Sequence, residues 1–177
     1  LQKAVWEPDF KTDIPYLAMN ADGTSKYPLY TKDIIDTVQA HNPAVGAIAS
    51  IFGRNLEAYS GFEHFMDGLV TSSTFGLKEW RAYPYDWRYD VRDIVQNGTP
   101  TEMSDGSVKQ VYLADVLRGM ASSSPTKRIT IVAHSNGGLL AKRLTELLGP
   151  AESARLIDKM IFVAVPQAGT PMAIPAG

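Results

Sequence analysis

Apolar residues run together twice in the last third of the chain, as RITIVA (128–133) and KMIFVAV (159–165). Runs of this kind, rich in β-branched residues and without polar alternation, predict strands buried on both faces. Between them the period changes. Leu139, Leu140, Leu144, Leu147 and Leu148 fall on one stripe of a helix that starts after Gly138, and Gly149-Pro150 ends it. Upstream, SGFEHFMDGLV (60–70) predicts a helix capped by Ser60, with Phe62, Phe65, Met66 and Leu69 on one face. VKQVYLADVLRGMA (108–121) has helical spacing through Val108, Val111, Tyr112 and Met120, and TKDIIDTVQA (31–40) reads as a short helix capped by Thr31. EWRAY (79–83) reads as a short strand entering the aromatic turn PYDWRYD. The rest of 1–60 is irregular, broken by Pro8, Pro15, Pro28, Pro43 and the turn NADGTSKYP.

Helices alternating with buried strands imply right-handed βαβ crossovers and a mostly parallel sheet covered by helices on both faces. The expected fold class is α/β. At 177 residues the chain is long enough for one domain with a real core, 1–177, comprising an irregular entry region (1–60) and a core (61–177).

Composition narrows the function classes. A formal net charge of −2 gives no electrostatic reason to expect nucleic acid or an anionic membrane as partner. No apolar run approaches the roughly 18 residues of a membrane helix. The N-terminus has no signal-peptide pattern, but it begins at Leu1, which leaves room for a leader ahead of it. The absence of cysteine excludes disulfides, zinc–thiolate sites and cysteine catalysis, and the compartment stays open. Asn97-Gly98-Thr99 fits an N-glycosylation acceptor, although Asn-Gly is first a turn signal.

The strand RITIVA runs straight into Ala133-His134-Ser135-Asn136-Gly137, which fits the nucleophile-elbow pattern small-x-Ser-x-Gly. Such a strand-to-helix turn is tight, so the residues two before and two after the serine must be small. Substituting Ala133 or Gly137 by a larger residue is therefore expected to cause a collision across the turn. The turn lifts the Ser135 hydroxyl above the carboxyl ends of the strands, and the helix N-terminus behind it favours developing negative charge. The backbone N–H of Asn136 is placed to donate to an oxyanion. The alternative is a glycine-rich connecting or phosphate-binding turn, for which the chain lacks a GxGxxG or a Walker lysine.

Three ordered motifs, YPYDWR (83–88), AHSNGG (133–138) and VAVPQAGTPMAI (163–174), give the chain a wider likeness. Over roughly residues 60–174 it resembles the lecithin:cholesterol acyltransferase-like branch of the α/β-hydrolases. The resemblance implies a serine lipase, phospholipase or acyltransferase acting on an acyl ester, a lipid above all, with Ser135 as nucleophile and Asn136 as one oxyanion donor. It implies no metal and no organic cofactor, and an extracytoplasmic or secreted setting.

The chain also departs from that family. Its triad runs Ser, then Asp or Glu, then His, yet histidines stand only at 41, 64 and 134. His134 is expected to turn away from the serine, His64 to sit in a helix and His41 in a polar loop. Glu146, Glu152 and Asp158 are expected on or beside helices, away from any strand's carboxyl end. The oxyanion loop after the preceding strand is missing too, although AIASIFG (47–53) imitates it. The chain therefore reads as the middle of a larger hydrolase, clipped at both ends, with the triad acid and base in the remainder of the parent chain. Alternatively, it is an inactive relative that keeps the fold as a binding module.

Trp80, Tyr83, Tyr85, Trp87 and Tyr89 crowd around Asp86 and Arg88. Tyr85, Asp86 and Trp87 are candidates for the substrate pocket, since aromatics suit acyl chains and ligands in α/β sheets bind beyond the strands' carboxyl ends. The structural reading of the same residues is a rigid corner, with Asp86 hydrogen-bonding the backbone and Arg88 beside it.

Overall fold

The computed structural model describes residues 14–34, 37–38, 56–57, 59–72 and 74–169. The fold is mixed α/β, and the chain divides into two compact units, Leu1–Pro84 and Tyr85–Gly177.

In the first unit, a 3-10 turn (Ile14–Leu17) leads into a tight reversal at 20–25. There the Asp22 carboxylate accepts from the Thr24 N–H and hydroxyl, and Gly23 takes φ +80°. β1 (Thr37–Val38) pairs antiparallel with β2 (Leu56–Glu57). The helix expected over 31–40 is therefore not formed. Its described residues 31–34 are non-helical, and β-branched Thr37 and Val38 take up a strand ladder instead. α1 (Ser60–Thr71) forms as expected, but its N-cap is Tyr59, without a side-chain cap bond, and Ser60 is already helical. None of its residues is buried, and Phe65 is 60% exposed. Trp80 backs this helix: its indole N–H donates to Asp67 Oδ1 at 2.8 Å and its ring meets Phe62 edge-on at 6.2 Å. Residues 79–83 do not form a strand and run irregularly into Pro84.

The second unit begins with α2 (Val91–Asn97), capped by Asp90, whose side chain accepts from the Arg92 N–H. Asn97 is its last residue and Gly98, at φ +74°, its C-cap, which bears out the turn reading of Asn-Gly. A Cβ at Gly98 would stand 2.7 Å from the Val111 carbonyl oxygen, so the left-handed turn also needs glycine's lack of bulk. β3 (Thr99–Glu102) and β4 (Val108–Val111) form an antiparallel hairpin, and α3 (Leu113–Ser123) follows. The helix expected over 108–121 thus starts only at Leu113. Asp105-Gly106 closes a turn, with Asp105 accepting from the Ser107 N–H and hydroxyl, and so recruits Val108–Val111 into the hairpin.

β5 (Ile129–His134), α4 (Gly137–Leu156) and β6 (Ile157–Val163) complete the unit as a parallel strand pair with a helical crossover. Val132 stands beside Ile161 and His134 beside Val163. Gly149 takes φ +74° and ψ 168°, so α4 breaks there as expected, and Pro150 opens a second short segment where its missing N–H costs nothing. Leu140, Ala141, Leu144 and Leu148 face the core, where α4 meets α2, α3, β5 and β6. Leu144 is fully buried and Leu147, on the same expected stripe, is half exposed. The strands are not buried on both faces. Side chains alternate across a strand, α4 covers one side, and Val132, Ile161 and Val163 on the other remain 43%, 48% and 47% exposed. Among the described residues, no helix is long and apolar enough to cross a membrane.

Candidate functional site

Ser135 occupies the single residue between the end of β5 and the Asn136 N-cap of α4. The β-branched run that makes β5 stops at His134, and the Gly137-Gly138 pair lets the helix start at once. The cost falls on Ser135, which takes φ +51°, a left-handed conformation that residues with a Cβ rarely adopt. Such a conformation costs about 1–3 kcal/mol and persists only where its surroundings over-determine it.

Those surroundings are visible. The Ser135 N–H donates to the Val163 carbonyl at 2.9 Å, tying the turn to the last residue of the neighbouring strand. The Ser135 carbonyl accepts from the Gly138 N–H at 3.0 Å, and the Asn136 carbonyl accepts from Leu139 and Leu140. β6 ends in the same way, for Ala164 takes φ +49°. That turn directs Val165 onto Gly138, where an added Cβ would lie 2.2 Å from Val165 Cγ2. A Cβ on Gly137 meets nothing within 4 Å. The steric pinch expected at Gly137 therefore falls one residue later, because Val165 packs across the first turn of the helix instead of Ala133 packing across the elbow.

Two polar groups at the turn are free among the described residues: neither the Ser135 hydroxyl nor the Asn136 N–H has a hydrogen-bond partner. Ser135 and Asn136 are both half-buried. The pair therefore offers a hydroxyl and an adjacent backbone donor at the amino end of a helix, where partial positive charge accumulates. Among the described residues of this unit, no histidine bonds to either group. His134 is exposed at the end of β5, His64 lies exposed in α1, and His41 is outside the described residues, as is 47–53. The carboxylates that follow the serine are engaged elsewhere. Glu152 bonds Arg118 and Arg155, and Glu146 bonds Arg143. Asp158 pairs with Arg128 and Lys159. Asp158 stands two residues beyond the end of α4, at the amino end of β6 and away from its carboxyl end. No group of three or more His, Asp or Glu side chains able to hold a metal ion occurs among the described residues.

In the aromatic segment, Asp86 Oδ1 accepts from the Arg88 backbone N–H at 3.1 Å and from its Nε at 2.9 Å. The two side chains are 5% and 13% exposed for Arg88 and Asp86, a nearly desolvated ion pair. The hydrogen bonds that the Arg88 guanidinium donates to Asp86 hold it above its ordinary pKa, against the opposing effect of burial. The guanidinium also stands 5.9 Å over the Tyr89 ring. This is a rigid corner in which Asp86 has a structural use. Tyr85 is half-buried and Trp87 is 54% exposed. Among the described residues, no hydrogen bond or ion pair joins the corner to Ser135 or Asn136. A groove of about 300 Å³ lies elsewhere, between α2 and α4, lined by Arg92, Val95, Gln96, Arg143, Glu146 and Leu147.

No protein-family model, curated protein or solved structure matches the chain.

Proposed function

We propose that the protein is a serine acyl hydrolase or acyltransferase of the lecithin:cholesterol acyltransferase-like branch of the α/β-hydrolases, acting on a lipid or other acyl ester. One observation carries the reading: Ser135 bears a free hydroxyl at φ +51° between a parallel strand and its crossover helix. A non-glycine residue held in that conformation stores strain, and stored strain clusters at functional sites. In the reaction, Ser135 Oγ attacks the ester carbonyl carbon and its proton passes to a base. The Asn136 N–H donates to the resulting oxyanion. The bond to the leaving alcohol breaks, the alcohol takes the proton, and water or a second alcohol then takes the acyl group from Ser135. We assign the base and its acid to chain beyond these 177 residues, since no histidine follows Ser135 in them. Tyr85 and Trp87 are proposed to line the acyl path, with Asp86 fixing their corner.

That no histidine follows Ser135 in the sequence also favours a second reading, a binding module that keeps the fold without a working triad. Hydrolysis of p-nitrophenyl acyl esters by the full-length chain separates the two. The enzyme reading expects turnover that Ser135→Ala reduces by orders of magnitude. Turnover that is absent, or equal in the variant, favours the binding module.

A further inference from the structure

Gly138 and Lys142 stand four residues apart, so they share one face of α4. Both meet the segment that leaves β6. Val165 packs on Gly138, and Lys142 Nζ donates to Gln167 Oε1 at 2.7 Å. The same ammonium lies 5.9 Å over the ring of Phe162 in β6. Between these contacts the segment is pinned to itself: Ala164 is left-handed, the Gln167 N–H bonds the Val165 carbonyl at 2.8 Å, and the Gly169 N–H bonds the Pro166 carbonyl at 3.1 Å. Among the described residues, Lys142 has no carboxylate partner, although Glu146 lies one turn further along the helix.

We propose that Lys142 is a positioning residue. It straps the 164–169 segment across the first turn of α4 and so holds the Asn136 N–H and the left-handed Ser135 in register with the end of β6. The chain of contacts is continuous. Lys142 fixes Gln167, the segment carries Val165 onto Gly138, and Val163 at the root of the segment accepts the Ser135 N–H. This role rests on the reading of Ser135 as nucleophile.

The test measures two quantities on the full-length chain: the rate constant for labelling of Ser135 by a fluorophosphonate, and amide hydrogen exchange across 164–169. In Lys142→Met, exchange in the segment should rise and labelling should slow on the order of tenfold, the scale of a lost charge-assisted hydrogen bond. The melting temperature should change little, since the side chain is only half-buried. Lys142→Arg, which keeps the charge and a donor, should restore both readouts. Faster exchange with unchanged labelling would overturn the positioning role and leave the nucleophile standing. Unchanged exchange would overturn the strap itself. Absence of labelling in the parent protein would remove the nucleophile and this role together, whereas slow exchange across 164–169 would still report an intact strap.

Discussion

The Ser135 N–H donates to the Val163 carbonyl at 2.9 Å, so the last residue of β6 holds the turn that follows β5. The bond explains how a residue with a Cβ stays at φ +51°: releasing it would break a parallel-sheet bond and uncouple the start of α4.

If the conformation is strained, glycine at this position should relieve it. Ser135→Gly is expected to be more stable than Ser135→Ala by about 1 kcal/mol, because alanine keeps the Cβ that the left-handed region disfavours. Both variants lose the hydroxyl, so both should lose activity. Denaturant unfolding of the pair checks the order, and equal stability would mean that the turn carries no strain.

The packing at the start of α4 predicts opposite outcomes for adjacent glycines. Gly138→Ala should destabilise by about 1–3 kcal/mol, the range for overpacking, since its Cβ would meet Val165. Val165→Ala in the same chain should recover part of that loss. Gly137→Ala should be tolerated, its Cβ facing open space. Thermal unfolding of the two single variants and the double variant measures this.

The aromatic corner predicts strong coupling between Asp86 and Arg88. Replacing one member of a nearly buried ion pair takes away the other's opposite charge, at a cost of about 3–5 kcal/mol. Asp86→Asn and Arg88→Met should each fall in that range, and the double variant should cost less than their sum. A double-mutant cycle without coupling would contradict the structural reading of the corner.

Glu152 gives a pH dependence. Its hydrogen bond from Arg118 holds its carboxyl below the usual carboxylate range in the folded chain. A group whose folded pKa is depressed contributes stability above its unfolded pKa, and that contribution is lost as pH falls through the folded value. The parent should therefore lose more melting temperature than Glu152→Gln does on going from neutral pH to below about 4.5. The difference will be small, because the ion pair is largely exposed. Parallel curves for the two proteins would remove Glu152 from the account.

What the sequence disclosed follows from which forces are local. RITIVA and KMIFVAV become β5 and β6, and Gly149-Pro150 breaks α4, because β-branched runs and helix breakers act within a few residues. The strand edges moved: β6 begins at Ile157, where the second helical segment ends. The apolar spacing of Val108–Val111 fits both the helical and the strand period, and the hairpin signal Asp105-Gly106 decides for the strand. At the elbow, the junction of strand, Ser135 and helix was legible. The partner of the helix's first turn was not, since Val165 reaches Gly138 from 27 positions away in sequence through a left-handed Ala164 that no local pattern announces.

A nucleophilic Ser135 has a signature in covalent chemistry. Treating the full-length chain with a fluorophosphonate and locating the adduct by peptide mass spectrometry tests it most directly. One phosphonylated residue, Ser135, is expected, with no adduct in Ser135→Ala. An adduct on another serine, or none on the native protein under conditions that label a serine hydrolase, would contradict it.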